Sequence, residues 1–78
     1  MNRPHRVAFT DHAADRAERY TVPYTAVADA VLDEHPRRRT NPGAADWQVR
    51  RGRLVVAYDW PDAGDETTAR VVSLWLAE

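Results

Sequence analysis

The sequence predicts an α+β domain of order β-α-α-β-β-β, two helices packed on a mainly antiparallel four-stranded sheet. Apolar residues recur at helical spacing up to about position 34, and from Trp47 onward the period changes to two. The 78 residues make one domain, residues 1–78, near the lower size for a self-sufficient core.

Residues 1–5 read as a loose end, and Arg6-Val-Ala-Phe-Thr10 as a short first strand. Thr10 or Asp11 caps the helix that follows, which runs to about Tyr20. On it His12, Arg16 and Arg19 fall at i, i+4 and i+7 and share one face. Ala13, Ala17 and Tyr20 form an apolar stripe turned about 60–100° from that face. One side of the helix is thus free to bury while a histidine and two arginines stay together. Thr21-Val22-Pro23 is a break.

A second helix, about Tyr24 to Glu34, places Tyr24, Val27, Ala28, Val31 and Leu32 on one stripe, with Asp29, Asp33 and Glu34 toward water. His35-Pro36 ends it, and residues 36–46 form a loop with a turn at Asn41-Pro42-Gly43. Trp47 to Arg50 and Arg53 to Trp60 are strands joined by a hairpin at Arg51-Gly52. Leu54, Val56, Tyr58 and Trp60 share one face of the second. After the acidic turn 61–66, the last strand runs from Thr67 to Leu76. Val72, Leu74 and Leu76 are expected on one of its faces, and Val71, Ser73 and Trp75 on the other. Both faces are fairly apolar, as in a central strand.

The chain has no cysteine, so neither disulfides nor a thiolate metal site can staple it. It has no apolar run long enough for a membrane span and no signal-like start, so a cytoplasmic protein is expected, without membrane contact. Net charge is −1, unevenly spread. Residues 1–35 carry four Arg against six acids (−2), residues 36–58 six Arg against Asp46 alone (+5), and residues 59–78 Arg70 against five acids (−4). All eleven basic residues are Arg, which binds phosphate and carboxylate through two parallel hydrogen bonds and stacks on bases. A +5 segment in a near-neutral chain binds an anion locally and does not make a general nucleic-acid binder.

The element order resembles the RelE/ParE superfamily of small bacterial toxins. The first helix resembles more narrowly an uncharacterised family of short domains whose signature reads approximately His-Ala-x-x-Arg-Met-x-x-Arg-Gly-Ile. His12, Ala13, Arg16 and Val22 match it, as do the helix from Tyr24 to Leu32, the strand Arg53-Leu-Val-Val-Ala-Tyr58 and the strand Val71-Val-Ser-Leu-Trp75. Ala17 stands where Met is usual, Tyr20 where the second Arg is usual, and Thr21 where Gly is usual; Arg19 is one position early. The resemblance implies metal-independent RNA cleavage, often on the ribosome, and a neutralising antitoxin. ParE-type relatives act on gyrase instead, and many members have no demonstrated activity.

On that reading His12 and Arg16 are the catalytic candidates. Imidazole titrates near neutrality and suits proton transfer from a ribose 2′-hydroxyl, and a guanidinium one turn away stabilises charge on the phosphate. The plainer reading has His12 bonding a neighbour, and Arg16 pairing with Asp15 or Glu66. Arg19, Arg37, Arg38, Arg39, Arg50, Arg51 and Arg53 are the RNA-binding candidates; alternatively they are a solvated surface, or they dock an acidic protein. Tyr58 and Arg70 are secondary candidates that depend on register, and Tyr58 reads as core. Trp47, Trp60 and Trp75 read as core bulk before base-stacking platforms. His5 and His35 lack ligand spacing with His12, so no metal site and no cofactor are expected. The leading expectation is a toxin-type ribonuclease. The alternative is a non-catalytic module that binds an acidic partner, and a third possibility is an inactive relative. An exposed last strand would leave a sheet edge for a partner.

Overall fold

The computed structural model describes residues 3–78. Its elements are β1 (Arg6–Phe9), α1 (Asp11–Arg19), α2 (Tyr24–Glu34), a 3-10 turn His35–Arg37, β2 (Arg39–Thr40), β3 (Trp47–Arg51), β4 (Leu54–Asp59) and β5 (Thr68–Leu76). They form one five-stranded sheet of order β1-β5-β4-β3-β2, with β1 parallel to β5 and the other pairs antiparallel. The expected architecture is present with one more strand than the four expected, since Arg39 and Thr40 pair with Gln48 and Trp47 inside the expected loop. β5 is interior, as its two apolar faces indicate, and the sheet edges are β1 and β2.

Local chemistry sets the helix ends. The Thr10 hydroxyl accepts from the Ala13 N–H at 3.1 Å, closing the start of α1; such a cap contributes about 1 kcal/mol. At the other end Thr21 lies at φ +58°, while the Val22 N–H donates to the Ala17 carbonyl at 2.8 Å. This is a left-handed helix exit, where a β-branched side chain is disfavoured and glycine is not. Thr21→Gly is expected to raise stability by about 1 kcal/mol in urea unfolding; a destabilised variant would refute the strain argument.

The core lies between the helices and one sheet face. Val27, Ala30 and Val31 of α2 meet Val49, Val56, Tyr58, Val71 and Leu74, with Ala13 and Ala17 from α1. Each fully buried Val or Leu contributes about 1.5–3 kcal/mol. The buried stripe of α2 is rotated from the expected one. Ala30 is inside, Ala28 and Leu32 are only half-buried, and Tyr24 is 45% exposed, its ring 5.0 Å from that of Phe9.

Two further corrections concern the sheet. The hairpin residues are Gly52 and Arg53, one position later than expected, with Gly52 at φ +60° supplying the conformation the turn demands. In β5 the register shifts, so that Ala57 faces Ser73 while Tyr58 faces Val71. Val72 is the extra residue of this bulge, and strict alternation fails. Val71 therefore joins Leu74 on the core face, and Val72 and Ser73 go together to the opposite, helix-free face.

Candidate active site on the open sheet face

The helix-free face carries a cleft of about 530 Å³, within the size range of small-molecule sites. Ala57, Val72 and Trp75 give it an apolar floor; residues 41–45 wall one side, and His12 and Ser73 stand at the other. Its existence depends on the bulge, which brings Val72 and Ser73 to this face. It depends also on the short α1, whose first turn lies against β5.

His12 is exposed in that first turn, and its Nε2 lies 3.3 Å from the Ser73 hydroxyl. Its partner is thus neither backbone nor acid. Arg16, one turn on, is half-buried and does not line the cleft. Its Nε donates to the Leu74 carbonyl at 3.2 Å, and its guanidinium sits 5.5 Å from the Tyr20 ring centre. It pairs with neither Asp15 nor Glu66. Where β1 ends, Thr10 and Arg16 take over the open side of β5, binding the carbonyls of Val72 and Leu74. Arg16 therefore has a structural duty, while its two terminal amino groups remain uncommitted among the described residues.

The arginine candidates divide. Arg19 pairs with Asp15 at 3.3 Å, Arg37 with Glu34 at 3.0 Å and Arg51 with Asp33 at 3.0 Å. These exposed pairs are each worth at most about 1 kcal/mol, and an anionic ligand can displace them. Arg38 is drawn inward, its guanidinium 4.3 Å from the Trp47 ring centre and 5.4 Å from that of Trp60. Arg39, Arg50 and Arg53 have no acidic partner among the described residues; Arg50 and Arg53 bond only the carbonyls of Gly52 and Ala77. Arg39 and Arg50 line a second depression of about 370 Å³ with Arg37 and Glu34, and Gln48 borders both depressions. Arg70 lies 4.0 Å from Asp62, away from the cleft.

Tyr58 is fully buried, as expected, and its hydroxyl lies 2.8 Å from Nδ1 of His35. His35, which carries no metal-ligand spacing, is itself a core residue, 3% exposed and in edge contact with Trp60. Trp47 and Trp60 pack against the core, whereas Trp75, expected inside, lines the cleft instead. No group of three His, Asp or Glu side chains suited to a metal ion occurs among the described residues, and no helix there is long and apolar enough to cross a membrane.

No family model matches the chain, and no curated protein does. A solved structure does. The crystal structure of the toxin–antitoxin complex RelBE2 from Mycobacterium tuberculosis is similar over 94% of this chain and 98% of that one, with a TM-score of 0.66 at 22% identity. The fold is RelE-like. In this RelE-like fold the helices occupy one face of the sheet, and the cleft with His12 occupies the other.

Proposed function

We propose that this chain is a toxin-like domain that cleaves RNA without a metal ion, using His12 at the cleft. The placement of His12 supports this most: an exposed imidazole, oriented by Ser73, at the mouth of a cleft on the free face of a RelE-like sheet. In the proposed reaction His12 accepts the proton of a ribose 2′-hydroxyl. The 2′-oxygen attacks the adjacent phosphorus, and the bond to the 5′-oxygen breaks. A 2′,3′-cyclic phosphate and a free 5′-hydroxyl result, the latter receiving its proton from His12 or water. Arg16 lies outside the cleft with its Nε on the Leu74 carbonyl, so only its terminal amino groups, one helical turn from His12, are assigned to charge developing on a phosphate at the cleft mouth. Arg39, Arg50 and Arg53 are the arginines readiest to bind the RNA backbone; Arg19, Arg37 and Arg51 must first exchange their acidic partners.

A second reading is favoured by the same three unpaired arginines, which suit the carboxylates of an acidic protein. The similar structure is a toxin–antitoxin complex, and an acidic antitoxin is the partner proposed here. Both readings place the protein in the cytoplasm. Induced expression tests them. The wild type is expected to arrest growth with cleaved RNA in the same cells, and His12→Ala, shown folded by circular dichroism, to do neither. A harmless wild type that leaves RNA intact would retire the ribonuclease and leave the binding module.

A further inference from the structure

The cleft contains more than an acid–base group. Asn41 donates its Nδ2 to the Ala45 carbonyl at 3.1 Å. That carbonyl can only accept, so the orientation of the Asn41 amide is settled, and its Oδ1 faces Gln48. Gln48 must then donate its Nε2 to Asn41, which it does at 2.9 Å. Gln48 is thereby held with its Oε1 and its second Nε2 hydrogen unused by Asn41, on the border between the apolar cleft and the arginine depression. A fixed carboxamide with an acceptor and a donor to offer is the group that reads adenine through its amino group and a ring nitrogen. Trp75 adds an aromatic surface in the same cleft, and base–aromatic stacking is strong and tolerant of base identity. Beyond Gln48, Arg39 and Arg50 supply the positive charge for a phosphate.

From these placements we infer that the cleft is a subsite for one adenine base of single-stranded RNA, hydrogen-bonded by Gln48 and stacked on Trp75, with an adjoining phosphate on Arg39 and Arg50. The inference rests on the reading of this face as an RNA surface, and it names the base that is selected. His12 and Ser73, across the cleft from the Asn41 wall, then stand beside the ribose of the bound nucleotide.

The test is equilibrium binding of short fluorescein-labelled oligoadenylate and oligouridylate, both 2′-O-methylated so that attack by a 2′-hydroxyl is blocked. The wild type is expected to prefer oligoadenylate by about tenfold, and Gln48→Leu to lose that preference. Gln48→Glu, which keeps the shape and removes the donor, serves as the second variant with the same expectation. Trp75→Leu is expected to weaken both ligands by about tenfold. Replacing Arg39 and Arg50 together by Ala should lower the salt dependence by about 0.7 in logarithmic slope for each phosphate no longer neutralised. Equal affinity for the two oligonucleotides, or a preference that survives both Gln48 variants, overturns the adenine subsite even if RNA is cleaved. Selective binding without cleavage of unmodified RNA upholds the subsite and overturns only the ribonuclease. Failure to bind either ligand overturns the subsite, while the ribonuclease stands or falls on RNA cleavage in the expression experiment.

Discussion

His12→Ala is expected to lower the rate of RNA cleavage by a factor on the order of 10²–10⁴, the usual contribution of a positioned general acid–base group, with little change in stability. The second half follows from exposure. His12 lies outside the core, and its one hydrogen bond, to Ser73, is solvent-accessible. Surface substitutions of this kind stay within about 0.5 kcal/mol. Ser73→Ala makes the complementary case. Ser73 is a positioning residue that touches the imidazole without itself moving a proton in the proposed reaction. Its loss should reduce the rate less than loss of His12, and Ser73→Thr, which keeps the hydroxyl, should restore it. A His12→Ala protein that cleaves at the wild-type rate would remove His12 from the mechanism, whatever RNA the protein binds.

Arg16 cannot be tested in the same way. Its guanidinium closes the side of β5 that β1 leaves open, and it stacks on Tyr20. Arg16→Ala deprives the fully buried Leu74 of a carbonyl partner, at a cost of about 1–3 kcal/mol. Lost activity in that variant speaks to chemistry only when its stability has been measured. The two residues read together as a helical His/Arg pair therefore have different relations to the fold: one is free at the cleft, the other ties α1 to the sheet.

The difference between them is not visible in the i, i+4 spacing. Spacing fixes a shared helix face but not what lies beneath it. What is legible follows from local rules. Thr10 as a cap, the break at Thr21 to Pro23, the amphipathic second helix and the period-two strands all appear where the sequence indicates. The misses arise where tertiary context overrides local pattern. A two-residue strand such as Arg39–Thr40 has no period to detect. The bulge at Val72 breaks the alternation of β5, so that Val71 joins Leu74 on the core face and Val72 joins Ser73 at the cleft. Arg38 reads as a solvated charge until β3 and β4 bring Trp47 and Trp60 beside it. Likewise His35 reads as a helix-ending residue before a proline. Only the register that buries Tyr58 shows it to be core.

That buried histidine makes the fold acid-sensitive in a defined window. Burial, reinforced by the positive charges of Arg38 and Arg3, lowers the His35 pKa from the usual 6.5 to about 4. Burial also raises the pKa of Tyr58, so its phenol stays protonated beside the neutral imidazole. The unfolded chain takes up a proton at His35 as pH falls through 6.5, and the folded chain does not until about 4. Stability is therefore whole above 6.5, declines between 6.5 and 4, and has lost about 3 kcal/mol of this contribution at the lower end. Asp65 acts in a lower range. Its carboxylate accepts from the Thr67 hydroxyl and N–H and from the Thr68 hydroxyl, which lowers its pKa, so its contribution is present above the ordinary aspartate pKa and lost as pH falls through the lowered value. Urea midpoints at pH 7, 5.5 and 4.5 isolate the histidine. The wild-type midpoint should fall steadily across them. His35→Gln, which keeps a hydrogen-bonding partner for Tyr58 but cannot titrate, should lose most of that slope. Parallel decline of the two proteins would mean that His35 is not the group that takes up the proton.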